Sequence, residues 1–124
     1  MRPKYIGTFP LGNQNCDLYV DKDLAGGEFS TCPGEHDLPR ITVGLSYDDW
    51  HDCLATLIHE CFEAAMLIRQ VRFCKSEKIN GDMADYQFFF DHAEFGNICS
   101  MASTFLCDGL PMVAKEYRKQ MGRS

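Results

Sequence analysis

The sequence has no C-x-x-C pair, although it carries seven cysteines in 124 residues. Zinc ribbons and thioredoxin-type redox motifs need that spacing, so neither is expected. Long apolar runs are missing too. Nothing approaches the roughly 20 apolar residues of a membrane span, and Met1 to Pro10 has no apolar stretch of the kind a secretion signal needs. The seven cysteines therefore read as reduced thiols in a soluble, cytoplasmic protein, several of them buried as small hydrophobes. Basic residues are few: 12 Lys and Arg stand against 18 Asp and Glu, for a formal net charge of -6 and a pI near 5.1. This balance argues against general nucleic-acid binding, which wants a basic face. The one locally basic stretch, KEYRKQMGRS with Lys115, Arg118, Lys119 and Arg123, reads as a solvated helix end beside a negative dipole terminus. No internal repeat, low-complexity tract or linker interrupts the chain. With 45% hydrophobic residues, residues 1–124 should form one domain around one core.

What is present falls into two parts. Up to about residue 45, turn residues alternate with β-formers. YIGTF, CDLYV, EFSTC and RITVGL are strand candidates, punctuated by Gly12-Asn13, Asp23 to Gly27 and Pro33-Gly34. Asp21 to Gly27 suits a hairpin turn. SYDDW then opens a helix over about 47–70, capped by Ser46 or Asp48, with apolar residues recurring from Trp50 to Ile68. Arg69 and Arg72 suit its C-terminal end. After the polar loop KSEKINGDMAD, a second helix is expected from about Tyr86 to Cys107. Asp108-Gly109-Leu110-Pro111 should break it, and a third helix should follow over Pro111 to Gln120. Strands first and helices after predict an α+β fold: a small N-terminal antiparallel sheet over 1–45 followed by about three helices over 46–121.

Within the first helix lies His59-Glu60-Cys61-Phe62-Glu63. Residues four apart share a helix face, so His59 and Glu63 can hold one metal ion. Glu60 stands about 100° round the helix, where a general base for an activated water belongs. Cys61 points to the opposite side and should face the core. A third ligand must come from elsewhere. His92 shares a face with Phe88, Gly96, Cys99 and Ser103, and the small residues on that face would let it approach the first helix. The predicted metal ligands are therefore His59, Glu63 and His92, with Glu60 catalytic and zinc as the cofactor. Asp91 and Glu94 are further carboxylates that can act as ligands or support them.

RITVGL followed by SYDDWHDCLATLIHECFEAA resembles the strand-then-helix unit of zincin metallopeptidases, in which an edge strand precedes the helix carrying H-E-x-x-H. The match is closest to small bacteriophage and prophage proteins that look like pared-down zincins. It covers about residues 41–105. The resemblance implies a zincin-like fold and a metal-dependent, peptidase-like hydrolase acting on a peptide or protein, in the host cytoplasm where a phage encodes it. Glu63 departs from the pattern, since a zincin has histidine there.

Other readings stand beside this one. A contact between His59 and Glu63 alone would satisfy both, as would hydrogen bonds to a neighbouring helix. His92 can equally be a capped or core histidine. His51 beside Trp50 suits the surface, and Cys32 with His36 is a ligand pair too small to make a site. Phe88-Phe89-Phe90 with Phe95 reads as core material, or as a dimer or partner surface where exposed. A non-enzymatic protein that binds a host protein through its acidic surface, and a homo-oligomeric assembly protein, are the rival functions.

Overall fold

The computed structural model describes residues 3–30, 38–74 and 86–122. The chain begins with two strands, β1 (Lys4–Leu11) and β2 (Gln14–Asp21), joined by a tight turn at Gly12-Asn13. Gly12 adopts φ 67, the left-handed conformation that glycine takes at no steric cost. Two further strands follow, β3 (Gly27–Ser30) and β4 (Arg40–Gly44), and then the helix α1 (Trp50–Ile68). A short ribbon pairs β5 (Arg72–Cys74) with β6 (Tyr86–Phe88), and α2 (His92–Gln120) completes the chain.

The architecture is mixed α and β, with an N-terminal sheet ahead of the helices as expected. The sheet, however, is not purely antiparallel. Its order is β1-β2-β4-β3, and β2 runs parallel to β4. Residues 21–27 accordingly do not form a hairpin; they cross the end of β4. Gly44 N donates to Gly26 O at 2.7 Å, Leu45 N to Asp21 O at 2.9 Å and Ser46 N to Leu24 O at 3.0 Å. A Cβ on Gly44 would collide with the carbonyl oxygens of Leu24 and Gly26, so only glycine lets the crossing segment lie this close.

Both helices pack on one face of the sheet, α1 against β4 and β3, α2 against β1 and β2, and each against the other. Alternation in β2 places Cys16, Leu18 and Val20 in the core, while β4 is buried from Ile41 to Gly44 as a central strand. Leu57 and Cys61 of α1 and Phe105 of α2 fill the space above them, and Phe105 meets Phe9 edge-on at 6.0 Å. Each fully buried Leu, Ile or Phe of this cluster contributes about 1.5–3 kcal/mol. The opposite face carries polar and aromatic pairs. Arg40 stacks over the Tyr19 ring at 4.8 Å, and Thr8 donates to Asp17 at 2.6 Å.

Helix α1 starts later than its sequence suggests. Its cap is Asp49, whose carboxylate accepts from Asp52 N at 3.0 Å, rather than Ser46 or Asp48. The expected second and third helices are one. Ile98, Ala102, Phe105, Gly109, Val113 and Tyr117 form a single buried stripe at helical spacing straight through the predicted break. Pro111 lies on the exposed side, where its missing N–H leaves one backbone bond unmade. Burial of Val113 and Tyr117 outweighs that loss. Gly109 is used for close approach: a Cβ there would sit 3.3 Å from Leu18 Cδ2. The far end of α2 is tied down by Tyr117 Oη donating to Tyr47 O at 3.0 Å and Gln120 Nε2 donating to Leu45 O at 2.5 Å.

Two further expectations change. Tyr86 to Phe88 is strand rather than helix. The phenylalanines read as core are on the surface, with Phe89 60% and Phe95 46% exposed, and Phe90 stacked on Phe95 at 5.9 Å. Among the described residues no helix is long and apolar enough to cross a membrane.

Candidate metal centre

Helix α1 turns its apolar stripe, Cys53, Leu57, Cys61, Ala64 and Ala65, into the core. Glu60 and Glu63 lie at the margin of that stripe, and His59 lies outside it. This phase brings the three together. Nε2 of His59 is 2.9 Å from a Glu63 carboxylate oxygen and 3.9 Å from Oε2 of Glu60. One donor atom from each of the three residues falls within 4.8 Å of the others, and this is the only such His/Cys/Asp/Glu group among the described residues.

The donors fit a divalent ion. Ligands about 2.1 Å from one ion stand roughly 3–4 Å apart, which matches the two distances from His59, and imidazole with carboxylate is a donor set that zinc accepts. The imidazole is largely open to solvent while both carboxylates are mostly covered. A bound ion would therefore keep an open side towards water.

Glu60 is the unusual member. It is 8% exposed, one of two buried polar or charged residues among those described. It makes no hydrogen bond among the described residues beyond the 3.9 Å approach of His59. Burial pushes its carboxyl above the ordinary carboxylate range; His59 pulls it back, and Glu63 and Glu28 push it further up. What covers it is the edge strand β3. A Cβ on Gly27 would come within 2.7 Å of Glu60 Cγ and 3.0 Å of Thr42 O. Gly27 thus makes room for the carboxylate, a role that sequence reasoning missed. The Gly26-Gly27 pair, taken there for turn punctuation, was the available signal.

His92 is not brought into the group. Asp91 caps α2, with its carboxylate accepting from Glu94 N at 2.9 Å, so His92 occupies the first helical position and is exposed. The small-residue face on which it was placed turns outward: Gly96 and Ser103 are exposed, because the larger Ile98 and Phe105 take the buried side. Glu94 is engaged elsewhere. It accepts from Arg69 Nε at 2.6 Å and Nη2 at 2.8 Å, and from Asn97 at 3.0 Å, which clamps the end of α1 to the start of α2. Those bonds from Arg69 and Asn97 hold its carboxyl down to about 2.

His51 is exposed, as its position beside the helix start suggested. Cys32 and His36 lie outside the described residues. Cys16, Cys53 and Cys61 are free and buried, and Cys61 faces the core as expected. Burial raises the Cys16 thiol to about 12 and the Cys53 thiol to about 11, which leaves both unreactive at neutral pH.

No protein-family model, curated protein or solved structure matches this chain, and the case for its function rests on the geometry of its own residues.

Proposed function

We propose that the chain binds one divalent metal ion, zinc in the first instance, through His59, Glu60 and Glu63. The observation that carries this reading is the Glu60 carboxylate: buried, without a hydrogen bond among the described residues, and held within reach of a second carboxylate and an imidazole. Its oxygens keep some contact with solvent, since no fully buried side-chain oxygen or nitrogen among the described residues lacks a partner, but the covering still raises the cost of its charge, which a cation would offset. The ligand set differs from the one expected from sequence: Glu60 takes the place given to His92.

Hydrolysis of a peptide or amide is the second reading. It is favoured by the raised proton affinity of Glu60, which makes this carboxylate a stronger base than an ordinary one. A bound zinc ion supplies Lewis acidity to a carbonyl and acidity to water. In that reading His59 and Glu63 hold the ion, and a Glu60 carboxylate oxygen accepts the proton of the attacking water and carries it towards the leaving amine. The zincin likeness of RITVGL and the helix after it is part of this proposal. So is the phage origin with a host protein as substrate or partner.

Calorimetric titration with Zn2+ of protein first treated with chelator tests both. Stoichiometric binding that is lost in Glu63→Ala supports the site; absence of binding by the unsubstituted chain overturns it. Glu60→Gln separates the two readings. A large loss of affinity makes Glu60 a ligand, whereas retained affinity with loss of peptide hydrolysis makes it the base.

A further inference from the structure

A cavity of about 400 Å³ opens between the end of the sheet and the last turns of α2. It is lined by Lys4, Val20, Lys22, Leu45, Glu116, Lys119 and Gln120, and shares no residue with the metal centre. Val20 and Leu45, each 3% exposed, form an apolar floor. The Gln120 side chain, bonded to Leu45 O, fixes one wall. The volume lies in the range of small-molecule sites, roughly 300–1,000 Å³.

The charge of this cavity runs against the rest of the protein. The chain as a whole carries -6, yet three lysines from three separate segments line this cavity, and two of them share one carboxylate. Glu116 holds Lys4 Nζ at 3.0 Å on one oxygen and Lys119 Nζ at 3.6 Å on the other. Burial alone would raise the Glu116 carboxyl, but the two lysines outweigh it and keep it ionised. Lys22 has no ion pair or hydrogen bond among the described residues. Among the lining residues, three ammonium groups stand against one carboxylate over an apolar floor, with Asp21 and Asp23 flanking Lys22 outside the lining. A solvated helix end, the reading of the basic C-terminal stretch from sequence, accounts for Lys119 but not for Lys4, which comes from β1, or Lys22, which follows β2.

We infer that this cavity binds a small phosphate monoester with an apolar body. A phosphate monoester carries close to two negative charges at neutral pH and matches the surplus. Its ester group would lie on Val20 and Leu45 while the phosphoryl oxygens accept from Lys22, Lys4 and Lys119. Glu116 acts as a positioning residue that sets the two outer ammonium groups at the rim. A carboxylate ligand would leave one positive charge unmatched, and inorganic phosphate would leave the apolar floor uncovered.

The test is calorimetric titration of the metal-free protein with phenyl phosphate, benzoate and inorganic phosphate at low salt. Phenyl phosphate should bind with a dissociation constant below about 10 mM, with the other two probes at least about fivefold weaker. Lys22→Met, at an exposed residue outside the core, should weaken phenyl phosphate about tenfold with an unchanged melting temperature. Glu63→Ala should leave that binding unchanged. No binding below that limit, equal binding of benzoate or of inorganic phosphate, or indifference to Lys22→Met would each overturn the proposal. Binding lost in Glu63→Ala would place the ligand at the metal centre and overturn it as well.

Discussion

Gly27 and Glu60 approach each other so closely that a methyl group on the glycine would lie 2.7 Å from Glu60 Cγ. The edge strand thereby covers the carboxylate without a side chain of its own. Gly27→Ala forces either β3 or Glu60 to move. We expect a loss of about 1–3 kcal/mol in stability, the range for an overpacked site. At least a tenfold fall in Zn2+ affinity should accompany it. Gly96→Ala is the control, since a Cβ there meets nothing and the position is exposed on α2. It should stabilise by about 0.5–1 kcal/mol, as alanine does over glycine in a helix. Urea unfolding and Zn2+ titration of both variants check this, and an unchanged affinity in Gly27→Ala would remove the glycine from the site.

Glu60→Gln should stabilise the metal-free protein at neutral pH, because it removes a buried negative charge while keeping the shape. The gain should be on the order of 1 kcal/mol. Saturating Zn2+ should reverse the ranking, since an ion that binds only the folded state adds stability in proportion to the logarithm of its excess over the dissociation constant. Melting temperatures of both proteins, with and without Zn2+, give the four numbers needed. A Glu60→Gln protein less stable than its parent without metal would show that the carboxylate is already compensated.

The Arg69–Glu94 clamp sets an acid limit. The Glu94 carboxyl is held at about 2 by the Arg69 and Asn97 hydrogen bonds, against an ordinary value of 4.5. A carboxyl lowered on folding adds stability that is complete above its unfolded value and is lost as pH falls through the folded one. The contribution should therefore fade between about pH 4.5 and pH 2. Glu94→Gln should flatten the acid limb of the urea midpoint in that window. An acid limb of the same slope in both proteins would mean that the clamp does not hold α1 to α2.

Pro111 sits inside α2 on the exposed side. Pro111→Ala restores an N–H that can donate to Cys107 O, and we expect a gain of about 1–3 kcal/mol, up to the full penalty of proline in a helix interior. A loss instead, seen in the same urea titration, would show that a proline bend seats Val113 and Tyr117.

Much of the fold was legible in the residues. The alternation in RITVGL and CDLYV marks β4 and β2, and the apolar spacing from Trp50 to Ile68 marks α1. The strand order was hidden because it depends on Gly44, whose missing side chain admits the crossing segment, and no local pattern announces a crossing. The single long α2 was misread at Gly109 and Pro111. Both are local helix breakers, yet the stripe from Ile98 to Tyr117 keeps phase across them, and burial decided the matter. At the site, His59 and Glu63 were legible from their spacing, which is a property of one helix. The distance of His92 was not, since it depends on which face of α2 the large side chains Ile98 and Phe105 claim.

The placement of β4 between β2 and β3 has a consequence for how the protein acquires its chemistry. The strand that covers Glu60 has no partner in the sheet until residues 40–44 have docked, and β4 is followed at once by the helix that carries Glu60. A chain that has formed only its first hairpin holds neither the cover nor the ligands. The helix alone can bring His59, Glu60 and Glu63 together, but the cover over Glu60 arises only with the sheet. A chain with α1 formed and β3 undocked would hold the same three side chains with Glu60 open to water.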